Sequence, residues 1–388
     1  MKNTKKQKNI PDNWKMVDLG DLGKVSMCKR ILKEQTLPAG DIPFFKIGTF
    51  GKEPDAYISK EIYKEFREKY SFPKMGDILI SASGTIGRTV IYDGEPSYFQ
   101  DSNIIWIAND EDLIKNSYLS HLYKRIRWST ASGTIARLYN DLVRSVSVMA
   151  PTLPEQNRIV SVLETWDSGI EKLKQKIAIK KEIKKGLMQE LLTGKKRLPG
   201  FSGEWKIVKL GDFSKINKGK ALSSKNLIEG NYPVIAGGKT SPYSHASFCS
   251  EDSITVSASG AYAGYVAYHN YKFWGSDCSI LNIIEGVSDI HYIKHYLTLK
   301  QERIYALQTG GAQPHVYPKD LNTFKIDIPS SLKEQEEIVK ILNSSDSQIL
   351  MLEKKLNYWL EQKKYLLNNL VTGQLRTPEN LLEITNHK

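Results

Sequence analysis

The residues best spaced for chemistry are few. His291-Tyr-Ile-Lys-His295 sets two imidazoles one helical turn apart, the spacing of a zinc helix. That chemistry also needs a Glu after the first His, and Tyr292 stands there, so the pair reads better as two helix-surface histidines. Gly20-Asp-Leu-Gly-Lys24 is too short for a nucleotide-binding phosphate loop, and its counterpart at Gly211 lacks the second Gly-Lys. Pro11-Asp12 and Pro54-Asp55 could each open a metal-dependent nuclease site, but no Asp/Glu-x-Lys follows nearby. A DNA methyltransferase would carry a Pro-Pro next to its catalytic Asn or Asp, and the chain contains no Pro-Pro. No Ser/His/Asp set stands out either. These absences point to a protein that binds and does not catalyse.

The binding chemistry that remains suits a polyanion. Ser81-Ala-Ser-Gly-Thr-Ile-Gly-Arg88 and Ser257-Ala-Ser-Gly-Ala-Tyr-Ala-Gly264 are small-residue turns. Each could bring backbone N–H groups close to phosphate, or could simply be a tight strand connection. Ser132-Gly-Thr-Ile-Ala-Arg137 and Thr309-Gly-Gly-Ala-Gln-Pro-His-Val-Tyr317 occupy matching places in the two halves of the chain. Arg88, Arg137, Gln313, His315 and Tyr317 have side chains able to reach base edges or phosphates. Lys29, Arg30, Lys46 and Lys52 in the first half, and Lys218, Lys220, Lys225 and Lys239 in the second, are candidate phosphate contacts beside turns. The alternative for each is a solvated side chain.

The elements that must carry these residues come as a repeat. Trp14-Lys-Met-Val-Asp-Leu-Gly-Asp21 returns as Trp205-Lys-Ile-Val-Lys-Leu-Gly-Asp212, and Ser81-Ala-Ser-Gly84 as Ser257-Ala-Ser-Gly260. Leu153-Pro-Glu-Gln156 returns as Leu332-Lys-Glu-Gln335, and Leu191-Leu-Thr-Gly194 as Leu370-Val-Thr-Gly373, both displaced by 179. Thr152 and Ser331 fit helix N-caps, with Glu155 and Glu334 completing capping boxes. The helices that follow carry a 3.5-residue apolar spacing, the signature of a paired seam. It runs Ile159, Leu163, Trp166, Ile170, Leu173, Ile177, Leu187, Leu191 in the first copy and Ile338, Leu342, Ile349, Leu352, Leu356, Trp359, Leu366, Leu370 in the second. Lys180 and Lys184 interrupt the first seam. Each helix of roughly 40 residues spans about 60 Å. Antiparallel pairing spares the second globular domain from bridging that length, sets the two domains at opposite ends, and brings the end of the second helix beside the first domain.

Apolar runs at 77–80, 89–92, 103–107, 253–256 and 280–284 read as strands, and 113–127 and 290–304 as short helices. The expected fold is α+β: two mixed, mainly antiparallel-sheet domains separated by a pair of long antiparallel coiled-coil helices, a pseudo-two-fold internal repeat. The expected boundaries are a basic tail over 1–9, a first domain over 10–151, a helix over 152–194, a linker and second domain over 195–330, a helix over 331–373, and a tail over 374–388.

With 388 residues the chain is longer than one core usually organises. No apolar stretch is long enough to span a bilayer, the N-terminal residues lack a signal core, and Cys28, Cys249 and Cys278 suit a reducing cytosol, so a cytoplasmic location is expected. The net charge of +12 is concentrated. Residues 1–10 carry +4, and residues 171–197 carry ten Lys/Arg against three Glu. The globular domains are almost balanced, so any grip on DNA rests on local clusters; the basic helix stretch lies over phosphates or forms a solvated face.

Two domains opened by Trp-x-x-x-x-Leu-Gly-Asp, with helices opened by Leu-x-Glu-Gln and closed by Leu-(Leu/Val)-Thr-Gly, resemble the specificity (S) subunit of type I restriction–modification systems. The resemblance covers nearly the whole chain; Lys333 in place of Pro154 and the two seam lysines are its departures. It implies two target-recognition domains, each reading half of a split, asymmetric sequence in double-stranded DNA. It also implies helices that dock two methyltransferase (M) subunits, with restriction (R) subunits completing the complex. No cofactor is expected on this chain, since S-adenosylmethionine, ATP and Mg would belong to the partner subunits. The rival readings are an enzyme with disguised methyltransferase or endonuclease motifs, and a coiled-coil scaffold without DNA readout.

Overall fold

The computed structural model describes residues 11–128, 137–238 and 242–381. The chain forms two compact units, one from residues up to 171 together with those from 357 on, the other from residues 172–356.

In the first unit the order is β1 (Lys15–Asp18), β2 (Gly23–Ser26), β3 (Ile42–Phe45), β4 (Tyr57–Ile58), α1 (Lys60–Lys69), β5 (Ile78–Ser81), β6 (Thr89–Ile91), β7 (Tyr98–Phe99), β8 (Ile104–Asn109), α2 (Asn116–Tyr123), α3 (Asn140–Arg144) and β9 (Ser147–Ala150). α4 (Leu153–Leu191) begins here and continues into the second unit. The antiparallel sheet β2-β8-β5-β6 is central; β4-β3-β7 and the ribbon β1-β9 flank it. Alternation along the central strands explains their continuous apolar runs. Ile78 and Ile80 of β5 and Ile105 and Ile107 of β8 enter a core shared with α2 and both long helices. Leu79, Ile104 and Trp106 point the other way, into an aromatic core with Phe44, Tyr98 and Phe99.

The second unit repeats this plan with β10 (Trp205–Lys209), β11 (Ser214–Lys218), β12 (Tyr232–Ile235), β13 (Ser244–His245), β14 (Ser253–Ser257), β15 (Val266–His269), β16 (Trp274–Gly275), β17 (Cys278–Ile283), α5 (Ile290–Leu299), α6 (Gln301–Tyr305), α7 (Pro318–Asn322), β18 (Lys325–Pro329) and α8 (Leu332–Leu370). Its sheets, β11-β17-β14-β15, β13-β12-β16 and β10-β18, match those of the first unit strand for strand, including one parallel pairing, β3 with β7 and β12 with β16. The α+β repeat expected from sequence is the fold observed. The two expected short helices are trimmed to α2 in one unit and divided into α5 and α6 in the other.

α4 and α8 are 39 residues each, about 58 Å at 1.5 Å per residue. Every seam residue named above is buried or half-buried. Within each unit the helix segments run antiparallel. In the first, Trp166 meets Trp359 edge to face at 5.9 Å, and Lys363 pairs with Asp167. In the second, Lys184 pairs with Asp346 at 2.5 Å and Lys180 donates to Gln348 at 3.0 Å. Lys184 therefore does not break the seam. Asp167–Lys363 and Asp346–Lys184 are one pair used twice, each member displaced by 179 from its counterpart. Burial raises the pKa of Asp346, but the Lys184 hydrogen bond and the Lys294 charge outweigh it and hold the carboxyl below its ordinary value.

The repeated motifs have structural reasons. Ser331 Oγ accepts the Glu334 N–H as an N-cap should. The glutamate carboxylates, however, go to partners far along the chain. Glu155 accepts Arg376 through both oxygens, at 2.6 and 2.8 Å, and the Trp14 indole N–H at 2.9 Å. Glu334 accepts Arg197 in the same two-pronged way, with the Arg197 guanidinium over Trp205. The buried Gln156 and Gln335 satisfy backbone groups of the adjoining domain, at Leu113, Lys115 and Pro151 in one unit and Asp289 and Pro329 in the other. Gly194 and Gly373 close the helices in the left-handed region, and a Cβ there would crowd Trp205 in the first case and strike Pro11 in the second.

Candidate nucleic-acid interface

The small-residue turns join β5 to β6 and β14 to β15. In the first unit Gly87 N–H closes the turn on the Ser81 carbonyl, while Ser81 Oγ donates to the Thr85 carbonyl and accepts Arg88 N–H. In the second, Gly264 N–H closes on Ser257. Both turns are thus tight hairpin connections, as one of the two sequence readings held.

Each turn is pinned in the same way to the loop that sequence matching paired with it. Ala82 N–H donates to the Asn103 carbonyl, and Leu138 N–H donates to Ala82. In the second unit Ala258 N–H donates to Asp277, and Val316 N–H donates to Ala258. Ser83 Oγ donates to Asn103 and Ser259 Oγ to Asp277, completing the correspondence. Arg137 and His315 are therefore brought to one place in the two units, each beside its turn. Residues 309–315 form their own small hairpin through reciprocal Thr309 and His315 bonds. Gln313 is exposed at its tip, and His315 stacks on the half-exposed Tyr317 at 5.9 Å.

The basic candidates divide by what holds them. Arg30 is paired with Asp101 at 2.9 Å and Lys46 with Asp55 at 2.8 Å. Arg88 donates to the Phe50 carbonyl, clamping the 46–52 loop to the turn, and Arg137 donates to the Ser102 carbonyl. Lys52, Lys218, Lys220 and Lys225 are exposed. Lys29 and Lys220 are equivalents: the Tyr98 hydroxyl donates to the Lys29 carbonyl and the Trp274 indole to the Lys220 carbonyl. Lys239 and residues 132–136 lie outside the described residues.

The His291/His295 reading needs correction. His295 is fully buried, not on the surface, because α5 packs that face against α8: its Nε2 lies 2.8 Å from Asn343 Oδ1 and 4.0 Å from Asp346. Its counterpart in the first unit is the buried His121 of α2, whose surroundings include Asp167, Lys363 and Lys124. Burial, with the neighbouring lysines, depresses both imidazoles to about 4, and burial alone does the same to His269. Among the described residues no group of three or more His, Cys, Asp or Glu is placed to hold a metal, and no helix is long and apolar enough to cross a membrane.

Comparison with known proteins agrees with this doubled plan. The family described as "Type I restriction modification DNA specificity domain" matches residues 11–183 and 202–362. A putative type I restriction enzyme specificity subunit from Haemophilus influenzae is 63% identical over 161 residues, which is 41% of this chain and 42% of that protein. A second putative specificity subunit, from Methanocaldococcus jannaschii, is 25% identical over 406 residues and is covered over 95% of both chains. The fold is also that of a type I restriction–modification S subunit crystal structure from M. genitalium, with a TM-score of 0.63 at 19% identity, covering 96% of this chain and 98% of that one.

Proposed function

The chain belongs to the type I restriction modification DNA specificity domain family, and from that premise we propose that each of its two units reads one half of a split, non-palindromic DNA target. The observation that carries this is the pairing of a recurring framework with different side chains on its loops. The turn, its pinning bonds and the ribbon recur in both units, whereas the side chains at the turn and its pinned loop differ, the half-buried Arg88 and Arg137 against His315, Gln313 and Tyr317. A shared frame fixes how each domain lies on a backbone, and different side chains then read different bases. The relatives support a modular reading. A 63% match to one member that extends over only 41% of this chain is what separate exchange of the halves would leave.

In this role the chain does no chemistry of its own. It places two methyltransferase subunits, and restriction subunits where they are present, at the target in the cytoplasm. S-adenosylmethionine, ATP and Mg act on those partners. Lys52, Lys218, Lys220 and Lys225 supply phosphate contacts, and the paired Arg30 and Lys46 hold loops. The test is sequencing of methylated positions in a host carrying this chain with its methyltransferase partner. A motif of two unlike specified segments separated by an unspecified gap is expected; a single contiguous palindrome would overturn the reading.

A further inference from the structure

A concavity occupies the same place in both units, between the three-stranded sheet and the β5–β6 or β14–β15 hairpin. It measures about 220 Å³ in the first unit and about 270 Å³ in the second. Strand register makes the positions comparable. Pro43 corresponds to Pro233 and Phe45 to Ile235, through the pairings of β3 and β12 with their neighbours. By the same register Phe99 corresponds to Gly275, Leu79 to Thr255, Val90 to Ala267, and Tyr92 to His269.

The proline is kept and the lining is not. In the first unit one wall is Phe45, Phe50, Val90, Tyr92 and Phe99, with Phe45 stacked on Phe99 at 5.8 Å, and Lys52, Asp93, Glu95 and Ser97 also line the concavity. In the second the walls include Thr255, Ser257, Tyr265, His269 and Tyr271. Phe45, Leu79, Val90 and Phe99 give way to smaller or hydrogen-bonding residues, and Tyr92, whose hydroxyl donates to the Glu95 carbonyl, gives way to His269. The polar lining is built, not incidental. His269 is 6% exposed, with Nε2 2.8 Å from Thr255 Oγ1 and Nδ1 3.0 Å from the Tyr271 hydroxyl. Burial keeps that imidazole neutral at ordinary pH, so its one donor and one acceptor are both taken by the Thr255 and Tyr271 hydroxyls, which it orients without adding charge. An uncharged lining does not select phosphate. It suits a base edge, on which donors and acceptors are set side by side. Both concavities adjoin the candidate interface. Lys52 lines the first, whose Phe50 carbonyl is held by Arg88. Gly237, next to Gly238 in the wall of the second, packs against Ser259 and Asp277 of the pinned turn.

Resting on the two-half reading above, we propose that these concavities are the specificity-determining pockets of the two units. The second receives a hydrogen-bonding base edge against the Thr255 and Tyr271 hydroxyls that His269 orients, and the first an apolar edge such as the thymine methyl against Phe45, Val90 and Phe99. The test uses the full chain with its methyltransferase partner and a randomised DNA library, read by sequencing methylated molecules. Tyr271→Phe and Thr255→Val each lower the preference at the same base pair of one half-site by about tenfold or more, leaving the other half-site unchanged. Val90→Thr, which puts a hydroxyl into the apolar wall of the first concavity, weakens a position in the opposite half-site. Tyr271 is 45% exposed and loses one oxygen only, so that variant decides the matter if Thr255→Val does not fold. A two-part wild-type target kept at full preference by Tyr271→Phe overturns the pocket proposal alone. A wild-type complex with no two-part target overturns it together with the domain-level reading.

Discussion

Arg376→Ala isolates the bond that ties the end of the chain to its first domain. Glu155 is 1% exposed, and its carboxylate is satisfied by the two Arg376 nitrogens and the Trp14 indole. Without Arg376 a buried carboxylate keeps one neutral partner, and such an orphaned charge typically costs 3–5 kcal/mol. Arg376 itself is 43% exposed, so water partly replaces it and about 3 kcal/mol is the better expectation. For a unit of this size, with an m-value of about 3 kcal/mol per M in urea, the unfolding midpoint should fall by about 1 M. Adding Glu155→Gln in the same chain removes the stranded charge and should recover most of that loss. Arg197→Ala with Glu334→Gln should behave alike in the second unit, where Glu334 is 2% exposed. A midpoint lowered by less than about 0.2 M, or a second substitution that deepens the loss, would refute the idea that these arginines keep the glutamates buried.

Stability should also fall as pH drops from 7 to 5. His121, His269 and His295 stay neutral in the folded chain down to about 4, while unfolded they bind a proton near 6.5. Between those values the unfolded chain holds more protons, so each histidine withdraws about 2 kcal/mol by pH 5. Urea midpoints at the two pH values check this, and a flat profile would contradict it. A double-mutant cycle on Lys184→Ala and Asp346→Ala should give a coupling of about 1 kcal/mol that shrinks with added salt; zero coupling would mean the repeated pair does not help set helix register.

How much of this was legible in the sequence depends on the reach of each interaction. The seam residues were readable because a 3.5-residue period is local, and β5 and β8 because an unbroken apolar run marks a strand buried on both faces. Glu155 and Glu334 read as caps, since a capping box is also local, whereas the arginines that claim them come from 221 and 137 residues away. Lys184 read as a break in the seam because Asp346 on the other helix is invisible from the first. His295 read as a surface residue because one helical turn of sequence does not say which face packs. The pocket linings were hidden for a different reason: Tyr92 and His269 correspond only through strand register, and the shift between the two halves drifts along the chain.

The central claim is that one half of the chain specifies one half of the target. Replacing residues 198–330 with the corresponding domain of another family member, then sequencing methylated positions made by the chain and its methyltransferase partner, tests it directly. One specified segment should be replaced and the other kept unchanged. A target altered in both segments, or in neither, would contradict the account.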